Sequence, residues 1–240
     1  MQHGWDASAQ AWIAAQGDEG DFTRHYVLDP VMLGHVDACS PATALDVGCG
    51  EGRFCRMLDA RGITTIGIDP TTALIEAART RDPAGDYRIG RAEVLDLPDS
   101  QVDLVVSYLS LIDIEGADTA IREMARVLRP GGTLLIANLN GFCTASADRG
   151  WKRDLLGRRR HYRLDRYGEV RAVDIAWKGI RITNWHRPIS WYFQKLLGAG
   201  LELAAFEEPM AWGGPADTVR AYARVPYAHV MVWRKPDRTA

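Results

Sequence analysis

What the sequence lacks narrows its class first. No stretch reaches the ~18 uninterrupted apolar residues of a membrane span, and no basic-then-apolar leader stands at the start. Neither sign of charge dominates: 29 Lys and Arg face 31 Asp and Glu, for a formal net charge of −2. A chain-wide attraction to nucleic acid or anionic lipid is therefore not expected. Cysteine is scarce. The four present, Cys39, Cys49, Cys55 and Cys143, form no CxxC pair and have no histidines at ligand spacing, so neither a metal site nor a disulfide framework is expected. Free, mostly buried thiols in a reducing, cytoplasmic setting are the expectation. Repeats, low-complexity tracts and long linkers are also missing, and 240 residues suit one domain with a full core. Tryptophan is absent between residues 13 and 150, although the chain has eight. The middle of the chain thus reads as a compact aliphatic unit, with the large aromatics in its flanks.

That middle is patterned. From residue 42 to 138, short apolar runs alternate with helical patterns, the signature of βαβ units around a parallel sheet. Strands are predicted at Thr43–Val47, Ile63–Ile68, Tyr87–Ile89, Val102–Ser107 and Thr133–Ala137. Helices are predicted after Arg53, after Thr71 or Thr72, and over Ala117–Leu128, the last closed by Arg129-Pro130-Gly131-Gly132. Beyond residue 148 the pattern changes. Residues 148–166 carry eight Lys or Arg against three Asp. Residues 161–186 then alternate in the β manner around a Lys178-Gly179 turn. A helix is predicted from Arg187-Pro188 to Leu197, followed by strands at Leu201–Phe206 and Ala228–Trp233.

The segment Leu45-Asp46-Val47-Gly48-Cys49-Gly50-Glu51-Gly52 reads as a strand running into a sharp glycine turn and then a helix. Glycine removes the side chains that would block a ligand, and the helix start offers free N–H groups to an anion. The spacing is GxGxG, not the GxGxxG of dinucleotide sites. Asp69 ends the second strand, 17 residues past Gly52, where a carboxylate can accept both hydroxyls of a ribose; otherwise it caps the following helix.

Together these motifs resemble the small-molecule branch of the class I S-adenosylmethionine (AdoMet)-dependent methyltransferases, and the likeness extends over nearly the whole chain. Asp46–Gly52 resembles the first motif, Asp69 the ribose acid, Asp103–Ser107 the fourth strand and Leu128–Gly132 the turn before the fifth. The tail resembles the same branch at His186–Ser190, Gly200–Leu203 and Glu208-Pro209. The resemblance implies an α/β, Rossmann-like, seven-stranded, mostly parallel sheet of order 3-2-1-4-5-7-6 with helices on both faces. It divides a single domain, 1–240, into an N-terminal helical cap (1–40), an AdoMet-binding core (41–140), a β-rich lid insertion (141–187) and a C-terminal helix with antiparallel strands (188–240). Asp46, Gly48, Cys49 and Gly50 would bind the cofactor, the last three with backbone beside the methionine and ribose. Asp69 and Pro70 would hold the ribose, and Ala92 and Glu93 the adenine, with Arg91 standing where an acidic residue is common. Ser107 and Tyr108 would sit near the sulfonium.

Arg24 lies before the core and offers a planar fork to the methionine carboxylate, or is an ordinary surface charge. Trp5 and Trp12 are expected as a flap, Trp177 and Trp185 as part of the lid. Methyl transfer asks chiefly for alignment and exclusion of water, so no obligatory catalytic dyad is required. Candidates for a base or positioning group are Asn138, His161, Tyr162, Tyr167 and His186, each with a structural role as its plainer explanation. The expected partner is a small-molecule acceptor. Against nucleic acid stand the net charge and Asn138-Leu139-Asn140-Gly141, which departs from the motif used on exocyclic base amines. Chemistry on the methionine chain, RNA methylation and AdoMet sensing are the alternatives.

Overall fold

The structure, a computed structural model, describes residues 4–146 and 150–237. Its centre is a seven-stranded sheet of Thr43–Val47 (β1), Thr64–Asp69 (β2), Asp86–Ile89 (β3), Val102–Tyr108 (β4), Leu128–Leu139 (β5), Glu202–Glu207 (β10) and Ala228–Arg234 (β11). In space the order is β3-β2-β1-β4-β5-β11-β10. Only β11 runs against its neighbours, pairing antiparallel with both β5 and β10. With β10 and β11 as the sixth and seventh strands of the sheet, this is the expected topology.

Alternation along the strands builds two apolar layers. Leu45, Val47, Val105, Leu134, Ile136, Met231 and Trp233 point to one face and pack on Ala117–Val127 (α5) and Ile189–Gly198 (α7). Ala44, Leu104, Val106, Leu135, Ala137, Val230 and Val232 point to the other, against Asp29–Cys39 (α2) and Arg53–Asp59 (α3). Strands buried on both faces must be apolar at nearly every position, which is why β4 and β11 read as unbroken runs. In α5, buried Ala117, Ala120, Ile121, Met124 and Ala125 recur at helical spacing, while Arg122 and Arg126 make ion pairs nearer the surface. The predicted turn at Arg129–Gly132 lies within β5 as a bulge: Leu128 pairs with Val102, and the next β5 residue to pair is Thr133, opposite Leu104.

Outside the sheet, Trp5–Gln16 (α1) is followed by a π-helical turn, Arg24–Leu28, which leads into α2. Thr72–Arg81 (α4) follows β2, and Gly141–Thr144 (α6) follows β5. The predicted lid is two separate hairpins, Trp151–Arg153 (β6) with Arg159–Tyr162 (β7), and Arg171–Trp177 (β8) with Ile180–His186 (β9). The second hairpin turns at Lys178 and Gly179, both with positive φ, as a two-residue connection of right-handed strands requires. A further helix, Ala216–Arg224 (α8), precedes β11. It was not expected from the sequence, and only Ala221 on it is fully buried. No helix among the described residues is long and apolar enough to cross a membrane.

Candidate functional site

A cavity of about 400 Å³ opens at the carboxyl ends of β1 to β5, where the chain order reverses between β1 and β4. Ligands of open α/β sheets bind at such a reversal, because the flanking loops diverge there. The floor of the cavity is the glycine turn. Gly48 and Gly50 have φ of +78° and +56°, values that side-chain-bearing residues rarely adopt. A Cβ on Gly48 would land in the Ser110 side chain, whereas one on Gly50 would meet nothing nearer than the Trp12 indole nitrogen at 3.9 Å. Gly48 is therefore required by packing and Gly50 by the space it leaves open.

Asp69 is fixed above that turn. One carboxylate oxygen accepts the Gly50 N–H at 3.0 Å and the other the Thr71 N–H at 2.8 Å. Burial pushes its pKa up, and these two donors work against the shift. Pro70, Ala92 and Glu93 complete this side, with Arg91 paired to Glu93 at 2.8 Å. At the opposite end the π-helical turn aims Arg24 inward. Its guanidinium is held by Asp21 at 2.8 Å and lies 4.8 Å from the Trp12 ring centre and 5.7 Å from that of Tyr108. Tyr108 presents its ring to the cavity while its hydroxyl donates to Asp29 at 2.7 Å, and Arg53 pairs with the same carboxylate. Burial, with the adjacent Asp29 charge, drives the phenol pKa far up, so it is a neutral wall.

The roof comes from two distant pieces of chain. The Ser8 hydroxyl of α1 donates to the Arg181 carbonyl and accepts its N–H, both at 3.0 Å, which fastens α1 to β9. Trp12 then meets Trp5 at 5.1 Å and Trp177 at 6.4 Å, both edge to face. Below the roof, the loop between β4 and α5 is clamped to β9. The Trp185 N–H donates to the Ile112 carbonyl at 2.7 Å, the Asn184 amide donates to Asp113, and the buried Arg187 donates to the carbonyls of Leu111, Ile114 and Glu115. Arg187 is itself held near the Trp185 and Trp191 rings.

Eight of the sequence-predicted cofactor residues line this cavity: Arg24, Gly48, Gly50, Asp69, Pro70, Ala92, Glu93 and Tyr108. Three lie behind its wall. Asp46 and Ser107 are buried, Ser107 in a 2.8 Å hydrogen bond to Ser110, and Cys49 packs with Cys55 under the turn. The candidate bases fare differently. Asn138 is buried, with its carbonyl oxygen accepting the Leu139 N–H, and does not reach the cavity. His186 is buried between the Thr144 hydroxyl at 2.6 Å and the Tyr167 carbonyl at 2.9 Å, and burial lowers its pKa. The Tyr167 hydroxyl accepts the Ile189 N–H, so His186 and Tyr167 tie the lid to α6 and α7. His161 is exposed on β7, and Tyr162 packs on Trp151. None of these lines the cavity, because the hairpin that reaches it does so through Trp177, Ile182 and Asn184. Trp185 likewise turns away. Sequence reasoning missed Asp113, Ser110 and Asn184, whose only signal was their nearness to the end of a predicted strand and to Trp185.

The residues present fit AdoMet on two independent observations. Asp69 is a ribose-height carboxylate beside an open glycine. Arg24 supplies a cation at the far end of the cavity.

Comparison with known proteins agrees. Residues 45–136 match the model of a methyltransferase domain. A malonyl-[acyl-carrier protein] O-methyltransferase of Serratia marcescens is 37% identical over 95 residues, 40% of this chain and 37% of that protein. A probable S-adenosylmethionine-dependent methyltransferase of Mycolicibacterium smegmatis is 34% identical over 119 residues, 50% of this chain and 45% of that one. The chain thus spans less than half the length of these curated relatives. An S-adenosylmethionine-dependent methyltransferase structure from Mesorhizobium loti superposes with a TM-score of 0.76 over 91% of this chain and 100% of its own, at 24% identity.

Proposed function

We propose, on the premise that this chain carries a class I methyltransferase domain, that it transfers a methyl group from AdoMet to a small-molecule acceptor. The observation that carries the reading is Asp69, held by two backbone N–H groups at the rim of a glycine turn whose second glycine leaves its side-chain space to the cavity. The cap, core and lid serve this site as one unit, since its walls come from α1, the strand ends of the core and the β8–β9 hairpin.

When bound, AdoMet supplies a methyl group already activated by its sulfonium. The chain's own residues then have three tasks. Asp69 receives the ribose hydroxyls, and Arg24 receives the methionine carboxylate, its fork pre-set by Asp21. The Trp12 and Tyr108 rings lie 4.8 and 5.7 Å from the Arg24 guanidinium, an attraction worth roughly 0.5–2 kcal/mol that keeps the fork in place. The α1–β9 roof excludes water and holds the acceptor in line, which is the main demand of a displacement at carbon.

Calorimetric titration with S-adenosylhomocysteine tests the binding half. Asp69→Ala should weaken affinity at least ~10-fold, about the value of one charge-assisted hydrogen bond. Equal affinity of variant and wild type sinks the ribose assignment. Mass spectrometry of the nucleoside product then tests the reaction: S-adenosylhomocysteine formed only with an acceptor supports transfer, and methylthioadenosine formed by the protein alone overturns it.

A further inference from the structure

The charges around the cavity are not evenly satisfied. Both cations that line it are engaged, Arg24 by Asp21 and Arg91 by Glu93, each at 2.8 Å. Asp113 is different. It lines the cavity from the β4–α5 loop, accepts the Asn184 amide, and has the Trp5 indole as a second donor. Both donors are neutral, and among the described residues no cation lies within ion-pair distance of it. Burial raises its pKa to about 8, while the Asn184 hydrogen bond and the more distant Arg24 charge work against the shift, as expected of a carboxylate withdrawn from water with no cation in contact.

The loop that carries Asp113 is also anchored on both sides of it, to β9 and to Arg187. The Ile112 carbonyl accepts from Trp185, and Arg187 gathers three carbonyls on either side. An ordinary surface aspartate needs no such support. Trp5, Trp12 and Trp177 line the same cavity in edge-to-face contact, and aromatic ring faces favour a positive charge.

We propose that Asp113 is the acceptor-binding carboxylate and that the acceptor is a small amine, bound as its ammonium between Asp113 and the tryptophan rings. This rests on the methyl-transfer reading above. A carboxylate acceptor fits poorly, because it would meet Asp113 and the neighbouring Glu115 where Arg24 and Arg91 are already paired. Asp113 takes one proton from the bound ammonium and so frees the nitrogen lone pair. The N–C bond then forms as the S–C bond breaks, its electron pair staying on sulfur. The product is a methylated ammonium, and the proton on Asp113 passes to water.

The test is titration of the S-adenosylhomocysteine-loaded protein, followed by calorimetry and tryptophan fluorescence. The probes are matched sets: phenethylamine, 2-phenylethanol and 3-phenylpropanoate, then hexylamine, hexanol and heptanoate. At least one amine should bind ~10-fold or more tighter than its alcohol, and the acids most weakly. Asp113→Asn keeps the shape and the hydrogen bond; it should erase the amine preference and leave S-adenosylhomocysteine affinity within about twofold. Three results overturn the proposal: no amine preference in the wild type, a preference that survives in Asp113→Asn, or a large loss of S-adenosylhomocysteine affinity in that variant, which would assign Asp113 to the cofactor. Failure of the wild type to bind S-adenosylhomocysteine would instead refute the methyltransferase reading.

Discussion

Asp46 shows what the glycine turn costs a single residue. Its carboxyl is buried, with one oxygen accepting the Cys55 thiol at 3.5 Å and the other unpartnered. Burial is the chief cause that lifts its pKa to about 7, and the nearby Asp69 charge adds to it. A carboxyl whose pKa is higher in the folded state binds its proton more tightly there. The stability it contributes is complete at pH below ~4 and is lost as pH rises through about 7. The cofactor-free protein should therefore melt at a lower temperature at pH 8 than at pH 5.5, and Asp46→Asn should flatten that slope in a thermal melt. An unchanged slope would place the pH dependence elsewhere. The two exposed-side glycines make a second residue-scale test. Gly48→Ala should lower the melting temperature, since the added methyl collides with Ser110, whereas Gly50→Ala should cost only the strain of its positive φ, ~1 kcal/mol or so, yet weaken S-adenosylhomocysteine binding by calorimetry. The position of Asp69, Gly48 and Gly50 at the cavity was legible in the sequence because it depends on local geometry at a strand end. Asp46, Cys49 and Ser107 were placed one layer too far forward, because a motif does not say which members of a turn face the ligand. Asp113 and Asn184 were not legible as a pair: 71 residues separate them, and only the folded lid brings them together.

At the scale of elements, the parallel core was readable because strands buried on both faces must be apolar throughout, and glycine marks where they stop. The β8–β9 hairpin was readable from its turn. The π-helical turn at Arg24–Leu28 was not, since nothing in its composition distinguishes it from an ordinary helix start, and it is this turn that directs Arg24 inward. The histidines were misjudged for a related reason. A histidine at the end of a lid strand attracts a catalytic reading, but His186 spends both ring nitrogens on holding the lid to its neighbours. The roof also has a single fastening that can be loosened. Ser8→Ala removes both hydrogen bonds between α1 and Arg181 and should leave the sheet, and so the melting temperature, nearly unchanged. Stopped-flow tryptophan fluorescence should show S-adenosylhomocysteine leaving several-fold faster than from the wild type. An equal rate would mean that α1 does not gate the cavity.

At the scale of the whole molecule, the two apolar layers meet different needs. The layer under α5 and α7 continues across β11 to the buried Trp233, while the layer under α2 and α3 runs up to Phe54 and Tyr108 at the cavity floor. The middle of the chain supplies the glycine turn, Asp69 and the β4–α5 loop, and the tryptophan-rich flanks supply the roof, so the residues that match a general domain model, 45–136, are not those that close the cavity. Although β11 follows β10 in sequence, it lies inside the sheet between β5 and β10, buried at every position but its final arginine. Without that strand, β5 would present an unpaired margin, apolar from Leu134 to Ala137, open to pairing with another extended chain. Removing residues 228–234 thus leaves every residue of the glycine turn in place and no way to close the sheet, a loss that shows as aggregation and not as a missing motif.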